Sequence, residues 1–138
     1  VAAAYIVAVG IRVTIPEMDQ TDLEIARDLG AAGTTHILRL RGPLTITNLF
    51  TLQAALRDLG NGDTVIDLTN VPYMDSAGLG TILSHWAHTQ RAGAKFAVTG
   101  VSPRIAVLLE VTKVNTVLPM FPTALDADLS FTGKTATA

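Results

Sequence analysis

The chain contains no cysteine. That removes disulfides, thiolate metal ligands and a cysteine nucleophile together, and it fits a reducing, cytoplasmic setting. Aromatic residues are scarce: four Phe, two Tyr and one Trp in 138 residues, too few for a base-stacking platform. Ten Lys and Arg against twelve Asp and Glu give a net charge of -2, and the basic residues form neither a run nor a stripe. Phosphate backbones need clustered positive charge, so nucleic acid is not an expected partner. The longest apolar stretch, at the amino terminus, lasts about eleven residues against the ~20 of a membrane-spanning helix, so no direct membrane insertion is expected.

That amino-terminal stretch, "VAAAYIVAVGIRVTIP", has no basic residues ahead of the apolar run and no well-placed A-x-A site, so it makes a poor signal peptide. Residues 1–17 fit no later pattern. They read as an extension outside the domain, or equally as a peripheral strand added to its sheet. The domain proper is expected over 18–130, with 131–138 a frayed tail. A composition of 49% apolar and 16% charged residues suits one domain with a full core.

Patterning gives the order of elements. "DLEIARDLG" and "THILRLRGPLTI" alternate around the Gly-rich "GAAGTT" and read as a β-hairpin, with Leu23, Ile25, Ile37, Leu38 and Leu40 turned inward. "TNLFTLQAALRDLG" places Leu49, Leu52, Leu56 and Leu59 at helical spacing, with Thr47 or Asn48 as cap and Gly60 or Gly62 as stop. "DTVIDLTNV" is apolar enough for a strand covered on both faces. "SAGLGTILSHWAHTQRAG" carries Leu79, Ile82, Leu83 and Trp86 on one helical face, and Gly93 stands where a left-handed cap belongs. "AKFAVTGV" is a further strand. "SPRIAVLLEVTKV" begins with Ser102 as cap and Pro103 at the first helical position, and Ile105, Leu108, Leu109 and Val111 or Thr112 form its inner side. "TVLPMF" reads as a last extended segment and "PTALDADLSF" as a short helix. The sum is α/β: a mixed sheet of four to five strands packed against three to four helices, beginning with the hairpin.

The informative junction is "VPYMDSAGLGTIL", where a buried strand turns into a helix. Asp75 or Ser76 is the natural helix cap, and Gly78 and Gly80 allow a close backbone approach or an unusual dihedral angle. A capped, tight helix entry would account for these residues without further function. A hydrolase elbow needs G-x-S-x-G, and Met74 breaks it. His85 and His88 lie nine and twelve residues further along the same predicted helix, about 13 Å or more from its start. Nucleotide binding lacks the Walker lysine and the G-x-G-x-x-G order. The remaining chemistry is modification of Ser76 itself. A phosphate there would put nearly two negative charges beside Asp75, soften that cost through the helix dipole, and repel a partner docked over the loop. His85 and His88 have no third metal ligand in view and read as surface or edge histidines. Trp86 reads as packing, Leu79 as core or partner anchor, and Arg104 as a solvated residue or a partner contact.

"VIDLTNVPYMDSAGLGTIL" together with "GVSPRIAVLLEVTKV" resembles STAS domains of the bacterial anti-sigma factor antagonist type. The carrying motifs are D-S-x-G-L-G at Asp75–Gly80 and G-V-S-P-R leading into "LLE-T" at Gly100–Thr112. The resemblance covers about residues 22–125. It implies a non-enzymatic, cofactor-free and metal-free binding module in the cytoplasm. Its partner would be an anti-sigma factor serine kinase of the histidine-kinase-like ATPase type, which phosphorylates Ser76 and is thereby released; a serine phosphatase resets the switch. Asp75, Ser76, Ala77, Gly78, Leu79 and Gly80 would form the docking turn, with Thr45 and Asn48 beside it. Thr45 departs from the family, where many antagonists have an acid in G-x-L-D. "GPLTITNLF" looks more like STAS domains outside the simplest antagonist group, including those appended to anion transporters, and a STAS subunit of a membrane lipid or anion transport system is the alternative reading.

Overall fold

The computed structural model describes residues 22–133. The proposed extension at 1–17 lies outside the described residues, as does most of the proposed tail. Five strands and four helices follow one another: β1 (Glu24–Leu29), β2 (His36–Arg41), α1 (Leu49–Leu59), β3 (Thr64–Asn70), α2 (Ser76–Ala92), β4 (Phe96–Thr99), α3 (Pro103–Val111), β5 (Met120–Phe121) and α4 (Ala124–Phe131). A 3-10 turn at Val114–Thr116 links α3 to β5. The sheet order is β1-β2-β3-β4-β5. β1 pairs antiparallel with β2, and every later neighbour is parallel. This is the mixed sheet opened by a hairpin that the patterning predicts.

Alternation along the strands sorts the core into two layers. Leu38, Leu40, Ile66, Leu68, Phe96 and Val98 share one cluster with Leu52 and Leu56 of α1, Leu79 and Ile82 of α2, and Ile105 and Leu109 of α3. Ile37, Val65 and Ala97 form a second with Ala124 and Ala127 of α4. Three crossover helices thus cover one face, as right-handed connections between adjacent parallel strands require. Small alanines let α4 sit close on the other. Ile37 therefore does not face the same way as Leu38 and Leu40. It shares its face with Arg39, whose guanidinium reaches Asp28 at 2.9 Å and Asp67 at 3.2 Å beyond the end of α4. Thr99 Oγ1 also donates to Asp67, so this polar row crosses β1 to β4.

The local signals hold well. Ser102 caps α3 by accepting from Ile105 N–H, with Pro103 next to it. Gly93 ends α2 at φ 73°, ψ 17°, the left-handed cap that only glycine adopts without strain. The helical faces differ in part. On α2 the buried residues include Thr81, His85 and Thr89, while Leu83 and Trp86 are only half-buried. On α3, Ile105 and Leu109 are buried, but Leu108 is half-buried and Val111, about 200° round the helix from Leu109, is exposed. No helix among the described residues is long and apolar enough to cross a membrane.

Candidate functional site at the start of helix α2

Two loops leave the carboxyl ends of neighbouring parallel strands: 42–48 after β2 and 71–75 after β3. Pairing does not stop where the strands do. Leu44 and Met74 form an isolated parallel bridge, Leu44 N–H donates to Tyr73 O at 3.1 Å, and Asp75 N–H donates to Leu44 O at 3.2 Å. The end of a parallel sheet is the usual place for a site built from loops. Here the backbone holds two such loops in register.

Asp75 fastens them further. It occupies the N-cap of α2 with extended backbone, and its Oδ1 accepts from Gly78 N–H at 2.9 Å. Its Oδ2 accepts from Ile46 N–H at 3.0 Å, in the other loop. One carboxylate thus caps a helix and pins its neighbour, and both of its oxygens are engaged. Asn48 does similar work within the 42–48 loop. Its Oδ1 accepts from Thr45 N–H at 2.8 Å and its Nδ2 donates to Pro43 O at 2.6 Å. Asn48 stands at the N-cap of α1, as read from the sequence, but its side chain folds back into the loop and does not bond the helix's own N–H groups.

Gly78 is the point of closest approach. A Cβ added there would fall 2.3 Å from Leu44 O and 2.9 Å from Leu44 Cγ. Its backbone is helical, with no positive φ, so the unusual-dihedral reading of Gly78 is corrected. The glycine is needed for space. Gly80 has neither constraint, and an added Cβ would meet nothing within 4 Å.

Ser76 is the first residue of α2 and is exposed, and its hydroxyl makes no hydrogen bond among the described residues. Both histidines of α2 lie well along the helix, and the one adjoining carboxylate is occupied. Among the described residues Ser76 is thus presented to solvent beside a carboxylate that is already engaged. The N–H groups of Ser76 and Ala77 belong to the open first turn, where the helix itself supplies no acceptor.

The sequence-read residues divide by burial. Ser76 is exposed, and Asp75, Ala77, Gly80 and Thr45 are partly so. Asn48, Gly78 and Leu79 are buried, Leu79 to 3% exposure. These three shape the turn from within and do not offer surface, which places Leu79 in the core. Two residues escaped the sequence reading. Ile46, 60% exposed, and Phe50, 68% exposed, stand at the entrance to α1 beside this turn. The signal was present: Phe50 lies off the Leu49, Leu52, Leu56 and Leu59 stripe. Arg104 is likewise not simply solvated. Its guanidinium sits 4.9 Å over the ring of Tyr73, so the start of α3 touches the loop that carries Asp75.

The sequence profile of the STAS domain matches residues 26–127. An anti-sigma F factor antagonist of Paenibacillus polymyxa is 32% identical over 63 residues, which cover 46% of this chain and 54% of that protein. An anti-sigma-B factor antagonist of Staphylococcus aureus is 34% identical over 68 residues, covering 49% of this chain and 63% of that protein. The match spans less than two thirds of either relative. The crystal structure of an anti-sigma factor antagonist from Mycobacterium paratuberculosis superimposes with a TM-score of 0.73 at 17% identity, over 87% of this chain and 99% of that one, which shows a shared fold. The matched profile covers most of the chain and the elements it spans are those of the described sheet and helices: this chain belongs to the STAS domain family.

Proposed function

We propose that this protein is an anti-sigma factor antagonist whose binding surface is switched off by phosphorylation of Ser76. The observation that carries the reading is Ser76 itself, an exposed hydroxyl at the first position of a 17-residue helix, fixed beside a two-loop clasp. The names of its sequence relatives support it. An anti-sigma factor serine kinase docks over the turn and, at its edge, over Ile46 and Phe50. It transfers the γ-phosphoryl of ATP to Ser76 Oγ: the new O–P bond forms as the bond to ADP breaks, and the hydroxyl proton is lost. The phosphate stays near the open N–H groups of the helix start, so the fold tolerates it. A partner that had buried this turn now meets two further negative charges beside Asp75, and it dissociates. A serine phosphatase restores the hydroxyl. No step needs catalysis by this chain, and the setting is the cytoplasm.

The test is capture from host lysate on wild-type, Ser76→Ala and Ser76→Asp baits, with the retained proteins identified by mass spectrometry. A small ATP-binding kinase held by the wild type and Ser76→Ala, and lost on Ser76→Asp, is the expected result. Components of a lipid or anion transport system held equally by all three would replace this reading with that of a transport subunit. Thr45, standing where an acid would otherwise meet the kinase, is the residue that keeps this second reading in play.

A further inference from the structure

An open cavity of about 400 Å3 lies between the second half of α1, the turn that follows it and the middle of α2. Its lining includes Leu56, Arg57, Asn61, Ser84, His85 and His88. The volume falls within the ~300–1,000 Å3 of small-molecule sites. It is separate from the docking turn: His85 stands nine residues beyond Ser76, about 13 Å along the helix.

His85 gives the cavity a defined chemistry. It is only 6% exposed, with its edge against the Phe96 ring and its Nε2 3.3 Å from Thr64 Oγ1. The Thr64 hydroxyl already donates its one hydrogen to Gly62 O at 3.1 Å. Oγ1 must therefore accept from His85, which puts the proton on Nε2 and the lone pair on Nδ1. Burial, then the nearby His88, push the His85 pKa down to about 4, so the neutral ring persists at neutral pH. Nδ1 has no donor among the described residues, yet it is not sealed from solvent. It is an acceptor open to a donor from outside.

The other walls complete the pattern. Arg57 is exposed and forms no ion pair among the described residues, and the adjacent Asp58 is taken by Arg27 at 3.1 Å. His88 Nε2 and Asn61 Oδ1 lie 2.7 Å apart and brace the rim. Leu56 supplies an apolar surface. One free cation, one lone-pair acceptor and an aliphatic wall suit a singly charged molecule better than a phosphate. We propose that this cavity binds a small organic carboxylate carrying a hydroxyl group, with the carboxylate on Arg57, the hydroxyl donating to His85 Nδ1 and the carbon skeleton on Leu56.

The test titrates the full chain, with 15N-labelled histidine, with lactate, 3-hydroxybutyrate and mandelate. Propionate, butyrate and phenylacetate serve as the matching acids without the hydroxyl. At least one hydroxy acid should saturate below about 1 mM and shift His85 Nδ1 toward the hydrogen-bonded position, with its partner lacking the hydroxyl at least about tenfold weaker. Arg57→Gln, at an exposed side chain that leaves the fold alone, should remove saturation. His85→Phe, read through the labelled His88 that lines the same cavity, should do the same, and circular dichroism checks that it folds. Absence of a saturable His85 shift with all three acids up to about 10 mM, equal affinity with and without the hydroxyl, or saturation unchanged in Arg57→Gln would each overturn the proposal.

Discussion

Asp75 Oδ2 accepts the backbone N–H of Ile46, 29 residues earlier, at 3.0 Å. The same carboxylate accepts Gly78 N–H through Oδ1, so the cap of α2 and the position of the 42–48 loop are one interaction. Asp75→Ala should lose about 1–3 kcal/mol of stability, the sum of a lost cap and an orphaned loop N–H. Asp75→Asn should fall between, because its amide nitrogen cannot accept from Ile46. Urea unfolding of the three proteins checks the order, and an alanine variant as stable as the wild type would show the clasp to be ornamental.

Gly78 and Gly80 look alike in the motif but should behave oppositely. Gly78→Ala forces a methyl against Leu44 and should cost about 1–3 kcal/mol by overpacking. Gly80→Ala meets open space in a helix and should gain up to about 1 kcal/mol through helix propensity. Thermal unfolding of the pair decides. Similar shifts in the two would mean that the close approach of Leu44 is not what requires Gly78.

Ile46→Ala and Phe50→Ala remove exposed side chains, so stability should stay within about 0.5 kcal/mol of wild type. Affinity for the captured kinase should nevertheless fall, by more than about 1 kcal/mol for Phe50 if its ring is an interface anchor. Calorimetry with the purified partner measures this. Unchanged affinity in both variants would move the docking surface off the entrance to α1.

The depressed pKa of His85 gives stability a slope with pH. In the unfolded chain a histidine takes its proton near pH 6.5, whereas in the fold His85 takes it only near pH 4. Between these values the unfolded state binds more protons, so stability is complete above about pH 6.5 and declines as pH falls toward 4. The loss attributable to this residue is at most about 2–3 kcal/mol over that window, because solvent in the open cavity screens part of it. Unfolding measured from pH 7 to 4 should show the decline in the wild type and a shallower one in His85→Phe. Parallel curves would mean that His85 titrates as an ordinary surface imidazole.

The parts of the fold legible in the sequence were the local ones. Ser102 and Gly93 could be placed as caps, and the cap of α2 narrowed to Asp75 or Ser76, because a cap is decided within four or five residues. β3 could be read as two-faced because Val65, Ile66 and Leu68 put apolar side chains on both faces. What escaped depends on distant partners. The reason for Gly78 is Leu44, which approaches from another loop. His85 is buried because Thr64 and Phe96, at the starts of β3 and β4, receive it. Val111 is exposed because it falls on the face of α3 opposite Leu109, which is the residue the sheet receives. At the site, the sequence marked Asp75 and Ser76 through their motif. It could not tell that Asn48 and Leu79 work from inside, or that Ile46 and Phe50 form the apolar edge.

The most direct test of the central claim is the affinity of the purified kinase for wild type, for Ser76→Asp and for the protein phosphorylated on Ser76, with phosphate position verified by peptide mass spectrometry. The account predicts phosphate on Ser76 and an affinity at least about tenfold lower for both charged forms, with unfolding midpoints close to wild type. Phosphate on another residue, or equal affinity for all three forms, would contradict it.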